Sequence, residues 1–396
     1  MIGRNRTKHG GGTRRASAWV VVVGVACLAA AAPGGAPPGP AAQRPAAAQD
    51  LVSAEECGHC HQDIHRYWKA SLHAQAADNP RFQDALARAR EGSTTEPSCT
   101  LCHAPAAVYM RDVRWEKKTS WEGVTCDFCH SVRAVRPGTA RPFALEPGRV
   151  KTGPLKDAHP TAHEAAYSDV YTSSTLCAPC HQYTNDRKFD VLTTFAEWKA
   201  AGFDTREMPC QTCHMRGVAG NIIDPKIARS ASSSVNVHDM PGGHSVAELN
   251  RALLATVATE RKGDAIDVTV QVVNRGAGHK VPTGSPLRAI VMVVEADNGV
   301  GIRQTATRTF GRVVVDDAGQ PLSDEGSVFQ RAARTVSDNR LAPGERYSER
   351  FEFSVPRTTP TRVLARFYYR YAPDVSGREP GMPFLAVSAW VDASRQ

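Results

Sequence analysis

Ten of the eleven cysteines fall in five CxxC pairs, and a histidine follows every pair: CGHCH (57–61), CTLCH (99–103), CDFCH (126–130), CAPCH (177–181) and CQTCH (210–214). CxxC spacing alone fits a zinc knuckle or, in an exported chain, a disulfide. Neither needs histidine at the next position every time. Histidine makes up 14 of the 396 residues, so five chance coincidences have a probability on the order of 10⁻⁷. CxxCH is the attachment signature of haem c: two thiols add to the vinyl groups, and the adjacent imidazole takes one axial face of the iron. The sequence therefore predicts five covalently attached haem c groups. They would be held by Cys57, Cys60, Cys99, Cys102, Cys126, Cys129, Cys177, Cys180, Cys210 and Cys213. The proximal ligands would be His61, His103, His130, His181 and His214.

Five irons raise the question of five further ligands. His9 precedes the motifs, in the basic N-terminal segment. His59 lies inside an attachment loop, and His65 is one helical turn past His61, so neither reaches the far face of the first iron. His73 is twelve residues past His61, roughly 18 Å along a helix. It cannot close the same iron but can close a neighbour's. His159 and His163 lie on either side of Pro160 and Thr161, and one ligand is expected from this pair, with His163 preferred. His238 and His244 flank the Pro241-Gly242-Gly243 turn and are both candidates. His279 sits in GAGHKVPTG between two strand-like runs. With His73, these make five distal candidates: His73, His163, His238, His244 and His279. Bis-histidine iron has no open position and tends to low potential, whereas methionine raises it. Met110, Met208 and Met240 are the alternative donors. Met215 adjoins His214 and cannot cross to the opposite face.

The elements that position these residues follow from composition. The CxxCH segment offers only about 32 residues per haem, too few for a conventional core. The haems must supply much of it, surrounded by short helices opening after the motifs. Helices are expected at 61–73, 81–90 and 191–201, and a loop at 137–154. Beyond residue 245 there is no cysteine, and apolar residues alternate: Ile266, Val268, Val270 and Val272; Phe351, Phe353 and Val355; Val363, Ala365, Phe367, Tyr369 and Tyr371. Period two with Gly/Pro turns predicts an Ig-like β-sandwich. The fold class is thus α+β and multidomain: residues 1–49 as signal and linker, 50–245 as a mostly helical and loop multihaem domain, and 246–396 as an all-β domain.

CGHCHQDIHRYWKASLHA resembles the C-x-x-C-H…W-x-x-S-x-H-A pattern of the multihaem family related to cytochrome c-554, which includes relatives of hydroxylamine oxidoreductase. GVTCDFCH, TLCAPCH and PCQTCHM look like its later motifs. HDMPGGHS and GHKVPTGSPLR resemble segments of larger members with an appended β domain. The likeness spans about residues 55–290. It implies that His73 is a distal ligand to a haem other than its own motif's. This chain departs from the tetrahaem carriers by one extra site. It departs from the hydroxylamine oxidoreductases by having fewer sites and no identifiable cross-linking tyrosine.

The formal charge of +8 is mostly N-terminal. Arg4, Arg6, Lys8, Arg14, Arg15 and Arg44 precede residue 50, where no acid occurs, and without them 42 basic residues face 40 acidic ones. No basic patch argues for nucleic acid. The basic stretch, the apolar run 18–32 and the Ala/Pro-rich segment to residue 49 have signal-peptide proportions. Export to the periplasm or outer surface is expected. Cys27 is a candidate lipid anchor, although Gly24 stands where a lipobox prefers an aliphatic residue.

These features point to an electron relay whose partners are redox proteins: other cytochromes or a membrane quinol-oxidising complex. Two alternatives stay open. One is an oxidoreductase for a small nitrogen or sulfur compound at a haem with an open axial position. The absence of CxxCK counts against the pentahaem nitrite reductases. The other is a structural subunit of a larger electron-transfer assembly. Mass spectrometry of the matured protein should show five haem adducts per chain, and Cys27→Ala should keep all five. Fewer adducts would contradict the motif reading.

Overall fold

Alternation dictates the second half of the molecule. In the computed structural model, eight strands follow residue 252: β1 (Leu253–Lys262), β2 (Ala265–Asn274), β3 (Ala289–Asp297), β4 (Arg303–Val315), β5 (Arg334–Asp338), β6 (Arg346–Ser354), β7 (Thr361–Arg370) and β8 (Met382–Val391). They form two antiparallel sheets, ordered β6-β2-β1 and β5-β4-β3-β7-β8. On β2 the even-numbered residues Ile266, Val268, Val270 and Val272 all point inward and are fully buried. They meet Ile290, Met292, Val294, Phe310, Phe353, Val363, Ala365 and Phe367 in one core between the sheets. That is the expected sandwich, with the expected residues on its inner face.

The structure describes residues 50–90, 98–229, 233–373 and 381–393. The signal, linker and Cys27 readings lie outside them. Among the described residues no helix is long and apolar enough to cross a membrane.

The CxxCH half is made of short pieces. Its longer helices are α1 (Gln62–Ala70), α2 (Pro80–Arg90) and α3 (Thr194–Ala200), with α4 (Val246–Ala252) leading into β1 and α5 (Glu325–Arg331) between β4 and β5. Two expectations change. Helices do not open after every motif. Four motifs are themselves mostly a helical turn, at Thr100–His103, Cys126–His130, Ala178–His181 and Cys210–His214. The last three of these run on into short strands at Val132–Val135, Tyr183–Thr184 and Gly217–Ala219. These strands carry β-branched, aromatic or glycine residues, Val132 and Val135, Tyr183 and Thr184, and Gly217 and Val218, which disfavour helix. The segment 137–154 is not all loop either. Phe143–Leu145 pairs with Val132–Val135, and Val150–Gly153 pairs in parallel with Glu164–Tyr167. Apolar clusters here are small, such as Ala77, Phe82, Leu86, Ala104, Ala107 and Trp115, as a segment with so little chain per haem requires.

All described residues belong to one compact unit. Val191, from the CxxCH half, packs with Leu287, Val314, Val328 and Ala332 of the β half. Asn185 Nδ2 donates to Ala332 O at 2.7 Å, and Arg312 Nη2 donates to Asp190 O at 2.9 Å. Phe367 is fully enclosed in the sandwich core. Phe367→Ala should therefore lower stability by about 3–5 kcal/mol, read by chemical denaturation followed by circular dichroism. A loss under about 0.5 kcal/mol, typical of surface sites, would contradict the packing described.

Candidate haem centres

Each proximal histidine closes its own CxxC turn: His61 N–H donates to Cys57 O at 2.9 Å, and His103 and His181 repeat this to Cys99 and Cys177 at 3.1 Å. The turn puts two thiols and one imidazole on the same side. Four of these imidazoles then face a second one. Ring centroids are 6.2 Å apart for His61 and His163, 6.1 Å for His73 and His181, 6.5 Å for His130 and His238, and 6.3 Å for His214 and His279. Two metal–nitrogen bonds of about 2 Å each, plus the distance from each ring nitrogen to its centroid, sum to roughly 6 Å. The spacing therefore fits one iron between each pair.

The ring orientations fit as well. Nδ1 of His61 hydrogen-bonds Ile222 O at 2.6 Å, His130 Thr152 O at 2.6 Å, and His214 Pro241 O at 2.7 Å. The facing rings do the same: His163 to Glu164 O at 2.9 Å, His238 to Asn236 O at 2.7 Å, and His279 to Lys280 O at 2.8 Å. A carbonyl only accepts, so Nδ1 carries the proton and Nε2 keeps its lone pair for a metal. A hydrogen bond at the other ring nitrogen fixes the tautomer and orientation of a ligating histidine. Enclosure by protein, with neighbouring imidazoles as a lesser cause, lowers His73 to about 3 and His181 to about 4. Enclosure likewise brings His238 to about 4. These rings are neutral, as ligation requires.

His73 is placed by the W-x-x-S-x-H-A stretch. Helix α1 ends at Ala70 rather than at His73, because Ser71 turns extended and its Oγ accepts from Ala74 N–H at 3.1 Å. Trp68 Nε1 donates to Val124 O at 2.9 Å, and Val124 N–H donates to His73 O at 2.9 Å. Trp68 thus anchors the segment that clamps His73. Gly123, at φ +62°, makes this possible, since a Cβ there would lie 2.1 Å from His73 O.

His103 differs from the other four proximal residues. Its Nδ1 contacts Ala76 O at 3.1 Å. The ring contact it makes is with Phe82, stacked flat at 4.2 Å and 6°, so Phe82 covers the side of the imidazole rather than standing across from Nε2. Enclosure first, and the charge of Arg288 after it, hold the His103 imidazole below its usual range. Among the described residues no histidine ring faces it. His244 is not brought opposite any proximal imidazole: it is half-buried near Asp239 and His214. The five-to-five count made from the sequence thus resolves into four facing pairs. His59 is exposed beside Glu56, His65 packs against Trp68, and His159 is exposed.

The motifs adjoin one another. The thiols of Cys57 and Cys126 are in contact, as are those of Cys102 and Cys180, and of Cys177 and Cys210. Motif one therefore neighbours motif three, and motif four neighbours both two and five. None of the ten described cysteines is paired in a disulfide. Among the described residues no three His, Cys, Asp or Glu side chains converge as a conventional ion site would need. Within CDFCH, Asp127 is fully buried and accepts from Val52 N–H at 2.7 Å and Ser131 Oγ at 3.1 Å, and it pairs with Lys151. Backbone carbonyl acceptors, the Phe82 stack and this ion pair carry no sequence signal. Only the Trp68–Ser71–His73 stretch was legible as a unit.

Comparison with known proteins bears on the fold and on the first three motifs. Residues 56–131 match the family described as cytochrome c554 and c-prime. No curated protein sequence matches the chain significantly. Among solved structures, the penta-heme cytochrome c552 from Thermochromatium tepidum shares the fold: TM-score 0.70 and 21% identity, covering 86% of this chain and 99% of that one. The putative ApaA protein from Bordetella pertussis matches at TM-score 0.18 and 15% identity, over 36% of this chain and 94% of that one. Nothing rests on that second likeness. The family match takes in the first three CxxCH sites, and the solved structure shows the fold over most of the chain.

Gly123→Ala should strain the clamp on His73 and cost about 1–3 kcal/mol. Thermal denaturation of the haem-loaded protein reads this as a lower midpoint. An unchanged midpoint would show that the segment does not hold His73.

Proposed function

We propose that the chain is an exported pentahaem cytochrome that relays electrons through closely packed haem c groups, four of them with two axial histidines. The observation that carries this reading is the set of four imidazole pairs at 6.1–6.5 Å. The axial pairs are His61 with His163, His73 with His181, His130 with His238, and His214 with His279. The cytochrome c552 that shares this fold is a penta-heme protein, which is consistent with five sites here.

Haem c supplies a one-electron iron couple when bound. The chain does the rest. The cysteine pairs fix each group covalently, so it cannot dissociate during redox change. The paired imidazoles would hold each iron from both sides, and in three pairs the Nδ1 bonds to backbone carbonyls would keep the rings oriented. They also hold the potential low relative to methionine ligation. Motif one lies beside motif three, and motif four beside both two and five, so haems held there would be close neighbours. Partners are other redox proteins, such as cytochromes or a membrane quinol-oxidising complex, met outside the cytoplasm after export.

One observation favours a second reading for the remaining centre. The other four proximal rings each have a histidine ring 6.1–6.5 Å away, whereas the ring contact of His103 is the side-on stack with Phe82. A haem ligated by His103 would then keep an axial position for a small exogenous molecule, as an oxidoreductase acting on a nitrogen or sulfur compound requires.

Alanine at His73, His163, His238 or His279 should each convert one low-spin haem to high-spin while all haems stay attached. His244→Ala should convert none. Electron paramagnetic resonance of the oxidised variants, with haem counted by mass, makes the test. Retention of every low-spin signal in the four variants would overturn the axial assignments.

A further inference from the structure

His279 lies on the loop between β2 and β3, yet a residue of the other half of the chain holds that loop. Glu197, on α3, directs both carboxylate oxygens at it. Oε2 accepts from Lys280 N–H at 3.2 Å and from Thr283 Oγ1 at 2.9 Å. Oε1 accepts from Thr193 Oγ1 at 2.7 Å and pairs with Arg340 Nη1 at 2.8 Å. The Glu197 and Arg340 side chains are 8% and 6% exposed, so this is a buried ion pair. Arg340 also donates from Nε and Nη2 to Asp338, each at 2.8 Å, and Lys280 Nζ reaches Asp338 at 2.9 Å. Lys280 is therefore held at its amide and at its ammonium. Its remaining backbone group, the carbonyl, is the acceptor for His279 Nδ1 at 2.8 Å.

The backbone is fitted to this arrangement. A Cβ on Gly278 would come within 3.0 Å of the Phe203 ring, from the CxxCH half, and one on Gly276 within 2.0 Å of Arg251 O. Asn274 Nδ2 donates to His279 O at 2.9 Å and to Leu341 O at 3.0 Å.

We infer that Glu197 is the positioning residue for His279, so that the His214/His279 centre is assembled by the contact between the two halves of the chain. This rests on the reading of His279 as an axial ligand. Buried ion pairs contribute little net stability because desolvation offsets their attraction. Here every oxygen of the carboxylate is engaged by the His279 loop, by Arg340 or by the helix-capping Thr193. The geometry it fixes is the one that aims Nε2. Without the carboxylate, Lys280 N–H and Thr283 Oγ1 lose their acceptor, and the carbonyl that orients His279 is released. The carboxylate is also an anion beside a centre that becomes more positive on oxidation, so its loss favours the reduced form.

The test uses the full-length haem-loaded protein and compares Glu197→Ala, Glu197→Gln and His279→Ala. Glu197→Ala should reproduce the His279→Ala change, with one low-spin haem becoming high-spin. The near-isosteric Glu197→Gln should keep every haem low-spin but raise the midpoint potential of one in a spectroelectrochemical titration. Thr194→Ala cuts only the hydrogen bond to Thr283 across the same contact and should change neither. If Glu197→Ala does not fold, the potential of Glu197→Gln decides alone. Parent spin states and potentials in the Glu197 variants, with His279→Ala converting one haem, would overturn the inference and leave the ligand reading standing. No conversion in His279→Ala would overturn that reading, and the inference with it.

Discussion

Four pairs of imidazoles stand 6.1–6.5 Å apart, ring centre to ring centre, and much of the molecule is arranged around that spacing. An imidazole is a metal ligand only when the ring is unprotonated at the coordinating nitrogen. In three of the pairs a backbone carbonyl accepts from Nδ1, at Ile222, Thr152 and Pro241 for proximal rings and at Glu164, Asn236 and Lys280 for the rings opposite. Carbonyl acceptors come from backbone left free of long helices and sheets, at loops and short-strand ends. That explains why the CxxCH half is built from helical turns, two-stranded pairs and loops. Long elements would occupy those carbonyls internally.

The sandwich answers the complementary need for rigidity. A loop can hold an imidazole in register only if its ends are fixed, and β2 and β3 fix residues 275–288 at both ends. The core between the sheets is continuous through Phe310, Phe353 and Phe367. Val191 extends apolar packing across to the CxxCH half. The β half is therefore more than a cover, since it delivers His279 to within 6.3 Å of His214.

Period and spacing made much of this readable in advance. The five CxxCH sites and the inward residues of β2 and β7 follow from local pattern. The Trp68–Ser71–His73 stretch stood out through its family resemblance, while its anchor, the carbonyl of Val124, lies far along the chain. What was not readable depends on residues far apart in the chain. His103 meets Phe82 through a fold that no spacing rule encodes. His244 looked equivalent to His238 because both flank the same turn. Only tertiary structure sends His238 to His130 and leaves His244 beside Asp239. The strands after the third, fourth and fifth motifs were missed because tertiary pairing set elements only two to four residues long.

Quantitative electron paramagnetic resonance of the oxidised full-length protein tests the imidazole pairing most directly, by integrating spins per chain. Four six-coordinate low-spin haems per chain is the predicted result, with the haem at the His103 motif giving a separate signal. Fewer than four low-spin centres in protein carrying all its haems would contradict it.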